Sequence, residues 1–135
     1  METLADRICL DTTLLVDLLR NKPAAIQWVT GVERHAHLAT TQINAFELYY
    51  GAHKSTAPNQ NLAATEKLLQ RLTLLPMSRE SALHAGELLA RLEKQGKTIE
   101  FRDLFIGSIA MVEGFRLKTE NKKHFERMSG LVLEP

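Results

Sequence analysis

Asp11, Glu47 and Asp103 are each set among apolar residues, where a carboxylate costs free energy unless something pairs with it. Asp11 follows the apolar run Ile8-Cys9-Leu10 and precedes Leu14, Leu15, Leu18 and Leu19 at helical spacing, so it lies where a buried strand hands over to a helix. An Asp there is favoured simply as a helix N-cap, and that carboxyl edge is also where ligands collect in open α/β sheets. Glu47 borders the apolar face of a helix carrying Ile43, Phe46, Leu48 and Tyr50, and its plain alternative is a side chain that snorkels off the edge of the stripe. Asp103 heads a stripe of small residues, Gly107, Ala110 and Gly114, on a helix that is apolar nearly all round, which predicts burial; its alternative is again an N-cap. Carboxylates are hard oxygen donors that suit Mg²⁺ or Mn²⁺. His35-x-His37 reads as surface and the single cysteine, Cys9, as core, so no zinc cluster competes.

The elements that must position these groups alternate in period along the chain. A helix opens at Pro23, a short strand covers His37 to Thr40, and Thr40 or Thr41 caps a helix that closes near Gly51. Residues 55–59 read as a loop. A further helix carries Leu62, Leu68 and Leu69, and Leu72 to Pro76 reads as a strand. Ser78 caps a long amphipathic helix stopped by Gly96, and Phe101 to Glu113 form another ended by Gly114. Phe115 to Thr119 is a fourth strand, and Leu131 to Leu133 a candidate fifth. Residues 119–125 read as a polar loop at the same edge as Asp11. Strands and helices alternating in this way argue for an α/β fold with a mostly parallel sheet of 4–5 strands and helices on both faces.

Composition narrows the class. With 135 residues, the chain is expected to form one domain, residues 1–135. Its 44% hydrophobic and 24% charged residues are ordinary for a globular protein. No apolar run is long enough for a membrane span, the opening Met-Glu-Thr-Leu-Ala-Asp-Arg has no signal-peptide pattern, and a lone core cysteine fits a reducing cytoplasm. The net charge of +1 leaves nucleic-acid contact to a local patch. One candidate runs from Phe115 to Arg127, where Arg116, Lys118, Lys122, Lys123 and Arg127 outweigh Glu120 and Glu126.

Four blocks carry a family resemblance: Leu10-Asp11-Thr12-Thr13, Phe46-Glu47-Leu48-Tyr49-Tyr50-Gly51-Ala52, Arg102-Asp103-Leu104-Phe105-Ile106-Gly107, and Lys118-Thr119-Glu120-Asn121 running into His124-Phe125-Glu126-Arg127 and Gly130-Leu131. In this order the set resembles PIN-domain proteins of the VapC type, the toxin half of type II toxin–antitoxin pairs. The resemblance implies a PIN-like three-layer sandwich and an endoribonuclease that leaves a 5′-phosphate and uses Mg²⁺ or Mn²⁺. It implies Asp11, Glu47 and Asp103 as metal-binding positions, Asn121 as a fourth catalytic position, and Thr13 as a supporting hydroxyl. Glu120 stands where relatives often carry a neutral or basic residue, which leaves Asn121 or Glu120 to complete the site. Lys122 and Lys123 are candidate substrate contacts, and His124 a candidate phosphate contact. Implied partners are an RNA substrate, a cognate antitoxin and a second copy in a homodimer, with Leu14, Leu15, Leu18, Trp28, Tyr49 and Tyr50 as the apolar surplus for such interfaces.

Two other functions compete. One is a PIN-like protein- or RNA-binding module without catalysis. The other is a haloacid-dehalogenase-type phosphatase, against which Asp11-Thr12-Thr13 lacks a second Asp two residues on. Three carboxylates converging with no cation would also repel one another. On that account Asp103→Asn is expected to melt no lower than the wild type when no metal is present.

Overall fold

Short apolar runs followed by helical spacing become, in the computed structural model, strand–helix units packed into three layers. The structure describes residues 6–135; the first five residues of the opening Met-Glu-Thr-Leu-Ala-Asp-Arg, read as lacking a signal-peptide pattern, lie outside them. In chain order the elements are β1 (Arg7–Leu10), α1 (Thr12–Leu19), α2 (Pro23–Val32), β2 (His37–Thr41), α3 (Gln42–Lys54), α4 (Pro58–Leu69), β3 (Thr73–Leu75), α5 (Arg79–Lys94), α6 (Phe101–Glu113), β4 (Arg116–Lys118) and α7 (Lys122–Phe125). The sheet order is β3-β2-β1-β4, and every pairing is parallel.

The central strand β1 shows why there are two helical layers. Side chains alternate across a strand, and Cys9 packs with Leu88, Leu92, Ile106 and Phe125 from α5, α6 and α7, while Ile8 and Leu10 pack with Leu14, Ala45, Leu48 and Leu68 from α1, α3 and α4. Cys9 pairs with Ala39 on one side and Leu117 on the other. The carboxyl ends of β1, β2 and β4 therefore align.

Several boundaries differ from expectation. Helix α3 continues through Gly51 to Lys54, and Ser55 follows it in an extended conformation. The loop read at 55–59 is shorter, because Pro58 already occupies the first turn of α4. Residues 119–125 are not all loop: Lys122–Phe125 close a short helical turn, held down by the buried Phe125. The candidate fifth strand amounts to one parallel bridge, Leu117 to Leu133.

The apolar surplus also falls elsewhere than expected. Leu14 and Leu15 are core, and of the six residues named for interfaces only Tyr50 is exposed. Phe46, Leu83 and Phe101 are exposed alongside it. Among the described residues no helix is long and apolar enough to cross a membrane.

Candidate active site

Strand β1 ends at Leu10, and the next residue, Asp11, lies at the carboxyl edge with no exposed surface. Its backbone N–H donates to the Lys118 carbonyl (2.9 Å), which ties it to the end of β4. Its side chain caps α1, accepting from the Thr12 N–H (2.8 Å), so the cap reading was right. It was also incomplete. Asp11 Oδ1 further accepts from Asn44 Nδ2 (2.9 Å) and Arg102 Nη2 (2.7 Å), and Oδ2 accepts from Thr119 Oγ1 (2.7 Å).

Glu47 comes from α3, whose start is fixed by a reciprocal capping box between Thr41 and Asn44. Thr12 Oγ1 donates to Glu47 Oε1 (2.5 Å), and Arg102 Nε donates to Oε2 (2.7 Å). Asp103 is buried in the first turn of α6, where the positive end of the helix dipole favours it. It is not the cap, a position held by Glu100 without a side-chain bond. Its Oδ1 accepts from Arg102 Nη1 (2.8 Å), and its Oδ2 lies 3.4 Å from His124 Nδ1.

One guanidinium thus joins all three carboxylates, each through a different nitrogen. This is the planar, several-pronged pairing to which arginine is suited. Arg102 keeps 26% of its side-chain surface exposed. Burial pushes its pKa down, but the bond to Glu47, the charge of Asp11 and the bonds to Asp103 and Asp11 outweigh that and hold it above the ordinary arginine value. The repulsion expected among three converging carboxylates is therefore met within the chain. Among the described residues no three Asp, Glu, His or Cys side chains are gathered around one point at metal-ligand spacing, since a guanidinium is wider than a metal ion. The donor set is still all hard oxygen, which fits Mg²⁺ or Mn²⁺ and does not suit zinc.

Other sequence candidates fall in different places. Thr13 is exposed, and the hydroxyl that enters the cluster is that of Thr12, one residue earlier. Glu120 and Asn121 are both exposed; Asn121 supports the site through its backbone N–H, which donates to Thr119 Oγ1 (3.0 Å). The hydroxyl from this segment that reaches Asp11 is Thr119's. Of the basic run, Arg116 pairs with Glu134, Lys118 donates to the Pro135 carbonyl (2.7 Å), and Arg127 donates to the Thr98 carbonyl. Lys122 and Lys123 remain exposed. Lys123, His124 and Arg127 line a hollow of about 300 Å³ together with Glu100 and Asp103.

Arg102, Asn44, Thr12 and Thr119 were thus missed as site residues. Arg102 had a signal: a charged residue directly before a buried Asp on an apolar helix needs a partner. Asn44 had a weaker one, since the third position after a Thr cap is where a capping box places a polar side chain.

The family model described as PIN domain matches residues 8–131. The chain is 36% identical to Ribonuclease VapC2 of Haemophilus influenzae over 126 residues, 93% of this chain and 94% of that one. It is 31% identical to the tRNA(fMet)-specific endonuclease VapC of Shigella flexneri over 128 residues, 95% of this chain and 96% of that one. Among solved structures it superposes with a TM-score of 0.87 on VapBC2 from Rickettsia felis bound to a promoter DNA fragment, at 30% identity, covering 95% of this chain and 97% of that one.

Proposed function

The chain belongs to the PIN domain family, and from that premise we propose that it is a metal-dependent endoribonuclease, the toxin of a toxin–antitoxin pair. The observation that carries this reading is the convergence of Asp11, Glu47 and Asp103 on one cationic centre at the carboxyl edge of a parallel sheet. The names of its VapC relatives supply the reaction class, RNA phosphodiester cleavage. The same three carboxylates are the proposed ligands of Mg²⁺ or Mn²⁺. Such a cation, when bound, supplies Lewis acidity toward a phosphodiester and activates water at neutral pH.

The remaining groups hold these ligands in place. Asn44 and Thr119 fix both oxygens of Asp11, and Thr12 ties Glu47 to the start of α1. Lys123 and Arg127 offer positive charge for the RNA backbone in the hollow that Asp103 and His124 also line, and Asn121 and the exposed Lys122 precede them in the chain. A hollow of about 290 Å³ lined by Val16, Leu19, Leu48 and Ala52 reaches Glu47 at its rim, a suitable groove for an antitoxin segment. Phe46 and Tyr50, stacked with ring centroids 6.3 Å apart, are proposed to lie in a homodimer contact. A cytoplasmic location is consistent with this assignment.

The test is cleavage of a tRNA pool with Mg²⁺ or Mn²⁺ by the wild type and by Asp11→Asn, Glu47→Gln and Asp103→Asn, each checked for fold by circular dichroism. The expected result is loss of cleavage in all three and in the wild type with chelator. Cleavage at the wild-type rate by the Asp11 or Asp103 variant would remove the carboxylates from the mechanism. RNA binding without cleavage by the metal-loaded wild type would favour the non-catalytic module.

A further inference from the structure

All six oxygens of the carboxylate cluster already have a partner. Asp11 Oδ1, Glu47 Oε2 and Asp103 Oδ1 accept from Arg102; Asp11 Oδ2 accepts from Thr119, Glu47 Oε1 from Thr12, and Asp103 Oδ2 faces His124. A divalent cation needs its oxygen ligands at roughly 2.0–2.6 Å. Oxygens spread around the edges of a guanidinium cannot all meet that distance. One movement removes a donor from each of the three carboxylates at once, and it is the departure of Arg102: it frees Glu47 Oε2 and Asp103 Oδ1 and leaves Asp11 Oδ1 with only the Thr12 N–H and Asn44 Nδ2. No other partner reaches all three: Thr12 holds Asp11 through its N–H and Glu47 through its hydroxyl, Thr119, Asn44 and His124 hold one carboxylate each, and Thr12 and Thr119 are fixed on short connections to the sheet edge.

We infer that Arg102 is a built-in competitor for the metal: it occupies the cation's place in the metal-free protein and is displaced to the rim when the ion enters. This rests on the reading of Asp11, Glu47 and Asp103 as metal ligands. Formal charge supports an exchange in which the arginine stays nearby. Three carboxylates and one guanidinium leave an excess of two negative charges, which a divalent ion balances with the guanidinium still at the edge. Arg102 is placed for such a movement, being partly exposed and in the first turn of α6, whereas Asp103 beside it is buried. At the rim its charge stays beside Asp103, which lines the same hollow as Lys123, His124 and Arg127, where an RNA phosphate would lie. Arg102 is thus a positioning residue. Without metal it keeps the three ligands from springing apart, and it sets the metal concentration at which the site loads.

The experiment is Mg²⁺ titration by calorimetry of the wild type, Asp103→Asn, Arg102→Met, Arg102→Lys and the double variant Arg102→Met/Asp103→Asn, all stripped of metal. The Arg102 Nε–H signal of the wild type is followed by NMR during the same titration. The expected result is at least tenfold tighter Mg²⁺ binding in Arg102→Met, about 1.4 kcal/mol, and a smaller gain in Arg102→Lys. The double variant loses the gain. In the wild type the Nε–H signal shifts with the same midpoint as Mg²⁺ binding. A merely structural arginine predicts the opposite, weaker binding when it is removed. If Arg102→Met does not fold, the lysine variant and the wild-type signal decide the matter. Wild-type binding that Asp103→Asn abolishes, with no tightening in either Arg102 variant or an unmoved Nε–H signal, overturns the exchange and leaves the metal site standing. Absence of Mg²⁺ binding in every protein overturns both.

Discussion

Replacing Thr119 with valine isolates one hydrogen bond that the site depends on. Valine keeps the branched shape but has no hydroxyl, and Thr119 is 4% exposed, so water cannot readily substitute. The bond lost is the donation of Oγ1 to Asp11 Oδ2 (2.7 Å), on a carboxylate with no exposed surface. A hydrogen bond to a charged group contributes roughly 1.5–3 kcal/mol, and an orphaned buried acceptor lies in the upper half, about 2.5 kcal/mol. The Asn121 N–H donates to Thr119 Oγ1 (3.0 Å) nearer solvent, and the loss of that bond adds about 0.5 kcal/mol. The sum is about 3 kcal/mol. For 135 residues the unfolding entropy is about 0.28 kcal/mol/K, so Tm should fall by about 10 °C. Thr119→Ser retains the hydroxyl and loses one methyl, about 0.8 kcal/mol, or about 3 °C. Thermal unfolding by circular dichroism at neutral pH with chelator present reads both. Equal drops for valine and serine, or a valine variant within about 2 °C of the wild type, would show that the Thr119–Asp11 bond contributes nothing to the fold.

Three further outcomes follow from the same geometry. Without metal, Asp103→Asn removes the charged acceptor of Arg102 Nη1, so it should melt below the wild type by about 2 kcal/mol, reversing the expectation from carboxylate repulsion; an unchanged or higher Tm in chelator would restore that expectation. Burial, aided by Asp11, raises the Cys9 thiol well above its ordinary 9.0, and the bond to Glu66 raises Tyr49. Groups raised in the folded state contribute stability that is complete below their unfolded pKa and lost as pH rises above it, so Tm should decline above about pH 9, less steeply in Cys9→Ala, and a thiol reagent should label Cys9 only after unfolding. A Cβ added at Gly107 would meet Met128 Sδ at 2.2 Å and Cε at 2.5 Å, so Gly107→Ala should cost about 1–3 kcal/mol; a chemical-denaturation midpoint equal to the wild type would mean that Met128 swings aside freely.

The parts of this fold that could be read ahead were those with a strong period and a clear stop. Helix α6 spans Phe101–Glu113 as its apolar spacing predicted, because Gly114 takes a left-handed backbone (φ 77°) that ends it. The turn α7 was hidden, since Lys122, Lys123 and His124 carry no apolar spacing and the one anchoring residue, Phe125, looks like any single aromatic in a polar loop. The carboxylates were visible because each breaks an apolar pattern. The residues that hold them were not. Thr12 and Thr13 are indistinguishable until the helix phase is known, and that phase turns Thr12 toward Glu47 and leaves Thr13 exposed. Arg102 could be seen to need a partner, yet nothing along the chain says that it takes three.

What brings these distant residues together is the strand order. The chain builds outward from β1 through β2 to β3, then returns across α5 and α6 to place β4 on the other side of β1. The direction of winding therefore reverses between β1 and β4, and the connections leaving their carboxyl ends separate there, which opens a crevice in parallel sheets. Asp11 stands at the end of β1 on one side, and Thr119 at the end of β4 on the other. The bond between them closes the floor of the crevice, while α3 and α6 bring Glu47 and Asp103 to it from opposite faces of the sheet. A carboxylate moved one residue along any of these elements would turn toward the core or solvent. The site is thus a consequence of topology plus helix phase, and the four short blocks that carry the family resemblance are the points where the chain passes that crevice.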